Sequence, residues 1–103
     1  MARYKLVAST NAQSGQDDAF NTWYDTQHLP DVVAIPGFVS GERFVSVGET
    51  GPRYLAIYEI ETDDIEAVIA DFVRRPGTDL MPISGALDAS EAQVLFWKPY
   101  EKA

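Results

Sequence analysis

Tyr24, Asp25 and His28 are the side chains of this 103-residue sequence best placed to do chemistry together. They lie in the run Phe20-Asn21-Thr22-Trp23-Tyr24-Asp25-Thr26-Gln27-His28-Leu29-Pro30, and His28 is the single histidine of the chain. On a helix, residues three and four apart share a face, so Tyr24 and Asp25 can both reach the imidazole. Phe20, Trp23 and Tyr24 fall on the apolar arc, and His28 lies at its border with the polar side. A titratable ring beside an aromatic pocket suits general acid–base catalysis. In that reading His28 is the acid or base, Tyr24 orients it or stabilises an enolate oxygen, and Asp25 fixes the ring tautomer. Two pulls act on its pKa: Asp25 and the helix C-terminus favour the imidazolium, and burial among aromatics favours the neutral ring. The plainer reading makes Phe20 and Trp23 core residues and His28 a helix-end residue that satisfies loose carbonyls.

Other constellations carry less. Asp63, Asp64 and Glu66 read as a helix cap rather than a metal site, with Asp63 and Glu66 at capping-box spacing. Glu42, Arg43, Arg53 and Glu59 read as charges paired across strands, or as residues lining an interior face. With one histidine and no cysteine, multi-histidine metal sites within a protomer, thiolate nucleophiles and iron–sulfur clusters are excluded. The glycines have no phosphate-loop spacing, and the serines sit in no nucleophile-elbow pattern. No metal and no cofactor are expected.

The elements that must position the helix follow from the hydrophobic pattern. Residues 3–9 alternate as a first strand, and a polar loop leads to a helix from about Asp17, with acids in its first turn, to Leu29, where Pro30 stops it. Ile35-Pro36-Gly37 turns into a strand over 38–47, and glycines at 48 and 51 mark a hairpin into a third strand over 53–61. A second helix, with Ile65, Val68, Ile69 and Phe72 on its stripe, ends at Pro76-Gly77, and residues 92–97 form the last strand. This βαββαβ order is that of the split βαβ, ferredoxin-like α+β sandwich: four antiparallel strands with both helices on one face. One domain over 1–103 is expected.

Two short helices cover only one face of such a sheet. Yet both faces carry apolar residues: Phe38 and Phe44 against Val39, Val45 and Val47; Tyr54, Ala56, Tyr58 and Ile60 against Leu55 and Ile57; Val94 and Phe96 against Leu95 and Trp97. A half-wet antiparallel sheet alternates more cleanly, and a bare face of this size exceeds what monomers tolerate. A homodimer closed through the sheet face is expected.

The net charge of −8 repels phosphate backbones and anionic lipid, and the eight bases are scattered without a stripe. Nucleic-acid and membrane-surface partners are therefore not expected. The N-terminus turns polar at Ser9, too early for a signal peptide, and no apolar run reaches bilayer length, so the expected compartment is the cytoplasm.

The run from Phe20 to Pro30, followed by Ile35-Pro36-Gly37-Phe38 and Arg43-Phe44, resembles the EthD-like branch of the dimeric α+β barrel superfamily, with its W-Y-x-x-H-[LV]-P helix end and P-G-F turn. The motif spans about a quarter of the chain. The resemblance implies two protomers packing their sheets face to face, with pockets between sheet and helices or inside the barrel. It also implies that His28 and Tyr24 stand at the acid–base positions, and that Trp23 is structural or walls the pocket. Phe20, Arg43 and Phe44 join Trp23 as expected substrate-binding residues. Superfamily members include isomerases, cyclases and monooxygenases, some of them haem-binding. The leading expectation is a cofactor-independent isomerase, cyclase or lyase acting on a small cyclic, aromatic or polyketide-like carbonyl compound. The alternatives are a noncatalytic module that binds a small hydrophobic molecule or assists another enzyme, and a cofactor-free or haem-dependent monooxygenase.

Overall fold

The computed structural model describes residues 1–101. Strand β1 (Ala2–Ala12) leads into a helix, α1, that runs over residues 17–33 in three joined parts: Asp17–Trp23, a π-helical turn Tyr24–His28, and Leu29–Val33. Strands β2 (Phe38–Val45) and β3 (Tyr54–Thr62), helix α2 (Ile65–Arg74) and strand β4 (Leu87–Trp97) follow. The sheet is antiparallel throughout, in the order β2-β3-β1-β4, the expected ferredoxin-like topology.

Three local expectations change. Pro30 does not stop α1. The Leu29 N–H bonds the carbonyl of Tyr24, five residues back, and Pro30 opens the next turn. A proline there lacks no hydrogen bond that the helix needs, and the widened turn ahead of it makes room for the ring. The cap of α2 is Asp64 rather than Asp63: its Oδ1 accepts the Ala67 N–H at 3.1 Å. The Thr62 hydroxyl accepts the Asp64 N–H at 3.0 Å, a local turn that delays the helix by one residue. The first and last strands are longer than their apolar stretches, because Asn11 and Ala12 of β1 pair with Asp88 and Leu87 of β4 beyond a bulge.

A second bulge decides which residues face the helices. The β2 register shifts between Phe38 and Ser40, so the expected pairing of Phe38 and Phe44 on one face fails. One extra residue flips every side chain beyond it. Phe38 is buried under the helices, while Phe44 is 42% exposed on the other face. Gly41 is then drawn against Tyr58: a Cβ at Gly41 would lie 2.7 Å from that ring, so only glycine lets β2 pass. The core between sheet and helices is centred on Leu6, Phe20, Val32, Tyr58, Ile60 and Met81, all fully buried. On the opposite face Val7, Leu55 and Ile57 are half-buried, and Leu95 and Trp97 are 43% and 54% exposed. Among the described residues no helix is long and apolar enough to cross a membrane.

Candidate active site

The π-helical turn sets the site. In a regular α-helix residues five apart point to different faces, but the wider turn brings them together. Trp23 and His28 accordingly stack, with ring centroids 4.6 Å apart and planes inclined by 25°. Tyr24 meets the same imidazole edge-on at 4.8 Å. Trp23 is held from the other side, its Nε1 donating to the Pro82 carbonyl at 3.3 Å. Spacing alone brings Tyr24 to His28; the Trp23 stack depends on the π turn.

These three rings line a cavity of about 290 Å³ between α1, the sheet and the segment after α2. Tyr58 reaches it from the centre of β3, Leu6, Ala8 and Thr10 from β1, and Phe72, Met81, Ile83 and Val94 close it. Among the described residues its lining has no Lys, Arg, Asp or Glu. The Tyr24 and Tyr58 hydroxyls share a hydrogen bond of 3.1 Å. Burial raises both phenol pKa values, so both stay protonated across the physiological range.

His28 is neutral at physiological pH. Desolvation is the main cause: it lowers the pKa from 6.5 to about 4, with Asp31 pulling it back up and Arg43 adding to the depression. Its Nδ1 is buried with no hydrogen-bond partner. No acceptor at Nδ1 offsets the cost of charging the buried ring, so the neutral form is favoured.

Asp25 does not reach the imidazole. It turns away and binds Arg43 Nη1 at 2.9 Å, while Arg43 Nη2 donates to Asn21 Oδ1 at 2.9 Å. The inward-facing Arg43 of β2 draws the carboxylate off, because its guanidinium lies 4.4 Å from the Tyr24 ring centroid, directly over the aromatic. The tautomer-fixing role expected of Asp25 is therefore replaced by an ion pair on the outer side of Tyr24. Arg43 itself is not in the cavity lining, and neither are Phe20 and Phe44. Phe20 is fully buried core, packed on Tyr24, Trp23 and Tyr54. Phe44 lies on the far face, for the bulge reason given above. Arg53 reaches towards Asp17 at 3.9 Å, and Glu59 pairs with Lys5 directly across from it on β1.

Tyr58 is the site residue that motif reading passes over. Its signal was present: a tyrosine on the inward side of a central strand, between Ala56 and Ile60, must find a partner for its hydroxyl. No group of acidic, histidine and cysteine side chains among the described residues could hold a metal ion.

No family model matches the chain, and no curated protein does. Solved structures do. A candidate monooxygenase of Shewanella loihica PV-4 superposes with a TM-score of 0.65 at 11% identity, over 98% of this chain and 97% of that one. An ethyl tert-butyl ether D (EthD) family protein of Bacillus halodurans C-125 gives 0.58 at 17% identity, over 95% and 99%. The haem degrader MhuD of Mycobacterium tuberculosis, with two haems in its active site, gives 0.59 at 13% identity, over 97% and 98%. The chain has the ferredoxin-like α+β fold of these structures. At these identities the likeness is one of fold. Within that fold the cavity of this chain is marked by its own residues: a neutral histidine, a tyrosine pair and otherwise apolar walls.

Proposed function

We propose that the protein is an acid–base enzyme of the isomerase, cyclase or lyase kind, acting on a small cyclic, aromatic or polyketide-like carbonyl compound. The observation that carries this reading is a neutral, depressed-pKa imidazole and two protonated phenols converging on one apolar cavity. His28 takes a proton from the carbon next to the substrate carbonyl. Hydrogen bonding from the tyrosine pair holds the charge that develops on oxygen, and the proton is returned to a different atom, so the step is redox-neutral. Because Nδ1 is sealed from ligands, the exchange runs through Nε2, with the neutral ring carrying its proton on Nδ1. A pKa of about 4 makes His28 always available but weak as a base. The reading therefore favours compounds whose proton is already acidic, such as 1,3-dicarbonyls and phenols. Replacing His28 with Ala should lower turnover by roughly two to four orders of magnitude; turnover that survives intact would sink this reading of His28 as the acid–base group.

The likeness to a candidate monooxygenase favours one second reading, in which the same carbanion reacts with dioxygen instead of a proton. Oxygen uptake that depends on substrate, followed with an electrode, separates the two. The haem named for MhuD finds a poor match in this cavity, whose lining offers no Lys or Arg to pair with the propionates.

The protein is further proposed to work as a homodimer, closed by the open sheet face where Val7, Phe44, Leu55, Ile57, Leu95 and Trp97 lie together. Leu95→Arg, on that face, should shift sedimentation from dimer to monomer; an unchanged profile would point to another interface.

A further inference from the structure

We infer that the cavity selects an uncharged ligand of one or two rings, with an oxygen acceptor that takes a proton left over by the Tyr24–Tyr58 pair. The inference rests on the proposed site but not on any turnover there. Two phenols carry two O–H protons, and the bond between them uses one. No other hydrogen bond within the described residues engages either hydroxyl, so the second proton has no acceptor in the protein. What is missing is an acceptor for that proton, since the one internal bond already joins the two oxygens. A carbonyl or ether oxygen in the cavity supplies what is missing, and the internal bond polarises the outward O–H and strengthens it as a donor.

The charge of the ligand follows from the walls. Neither sign finds a partner among the lining residues, and an ion stripped of water there would go uncompensated. The nearest cation, Arg43, stands on the outer side of the Tyr24 ring and is already engaged by Asp25 and Asn21. The net charge of −8 further disfavours anions. Size follows from the volume: about 150 Å³ of apolar cavity holds benzene, so about 290 Å³ takes one or two rings.

The test uses one ring skeleton in three forms: tetralin, which has no oxygen, 1-tetralone, and tetralin-1-carboxylate. Binding to the intact protein at pH 7 is read from the imidazole signals of His28, unambiguous because the chain has one histidine. Tetralone should bind about tenfold tighter than tetralin, and the carboxylate at least about a hundredfold more weakly than the ketone. The infrared carbonyl stretch of bound tetralone should fall below its value in hydrocarbon. Tyr24→Phe and Tyr58→Phe should each keep part of the preference, because the remaining phenol still has a proton to donate. The double variant should lose both the preference and the infrared shift, and it should fold, since replacing both partners of a buried bond by isosteric apolar rings is nearly neutral. Equal binding of tetralin and tetralone, a preference that survives in the double variant, a tightly bound carboxylate, or no binding of any of the three would each overturn the inference. If instead the selectivity holds while His28→Ala leaves turnover intact, the acid–base role of His28 fails and this inference stands.

Discussion

Helix α2 obeys every local rule that a sequence can state: Asp64 caps it, its apolar residues keep a regular stripe, and Arg74 and Arg75 pair with Asp71 in its last turn. Helix α1 covers the neighbouring part of the same sheet and breaks those rules. It has no side-chain cap, widens into a π turn at Tyr24–His28 and runs on through Pro30. The cavity's aromatic and titratable groups come from the irregular helix and from the strand beneath it; α2 contributes only Phe72 to the lining. Regularity serves packing, and the departure from it stacks Trp23 on His28. The proposed chemistry sits where local preference is overridden, as π turns at functional sites lead one to expect.

The largest effect should come from removing what holds the irregular helix in place. Phe20 is fully buried and touches the Trp23, Tyr24 and Tyr54 rings, with centroids 5.2–5.9 Å away. Phe20→Ala should cost about 3–5 kcal/mol, measured by urea unfolding at one fixed protein concentration. It should also bring the His28 titration back towards 6.5, because the rings that exclude water lose their backing. Destabilisation with an unmoved His28 pKa would mean that the π turn is self-supporting.

The same contrast governs what could be read from residues alone. The βαββαβ order, the helix-facing side of β3 and the meeting of Tyr24 with His28 follow from period-2 and period-3.6 patterns, which are local. The bulge after Phe38 is invisible to such patterns, because it adds a residue without changing the character of the stretch. It moved Phe44 to the far face and turned Arg43 under α1. Arg43 then took Asp25 away from the imidazole, a long-range competition that no spacing rule expresses. Pro30 misled for a related reason: a proline ends a helix only when the turn before it is a regular one.

A smaller but sharper comparison lies in pH. The folded pKa of His28, about 4, is below the 6.5 of the unfolded chain. Between those values the unfolded state binds a proton that the folded state does not. The contribution is therefore fully present above pH 6.5 and is lost as pH falls, by about 3 kcal/mol in all at pH 4. Asp31 on α1 and Arg43 on β2 are the charges that act on this ring, and they oppose each other. The difference in unfolding free energy between the wild type and His28→Gln, followed from pH 7 to 4, isolates this slope from the carboxylates common to both. A flat difference would show that the ring takes up its proton in the folded state.

Asp64→Ala probes the regular helix and should have the smallest effect. The lost side-chain bond to the Ala67 N–H removes one of the satisfied donors at the start of α2, worth about 1 kcal/mol. Asp64→Asn should recover most of it, since the amide oxygen caps equally well and little of the effect is charge. Neither change should move the His28 signals, because α2 meets the cavity only through Phe72, two turns beyond the cap. That independence is the decisive part of the measurement: additivity is expected for sites that share no partner. A shift in the His28 pKa on removing the cap would show instead that the two helices move as one unit, and that α2 tunes the site which α1 carries.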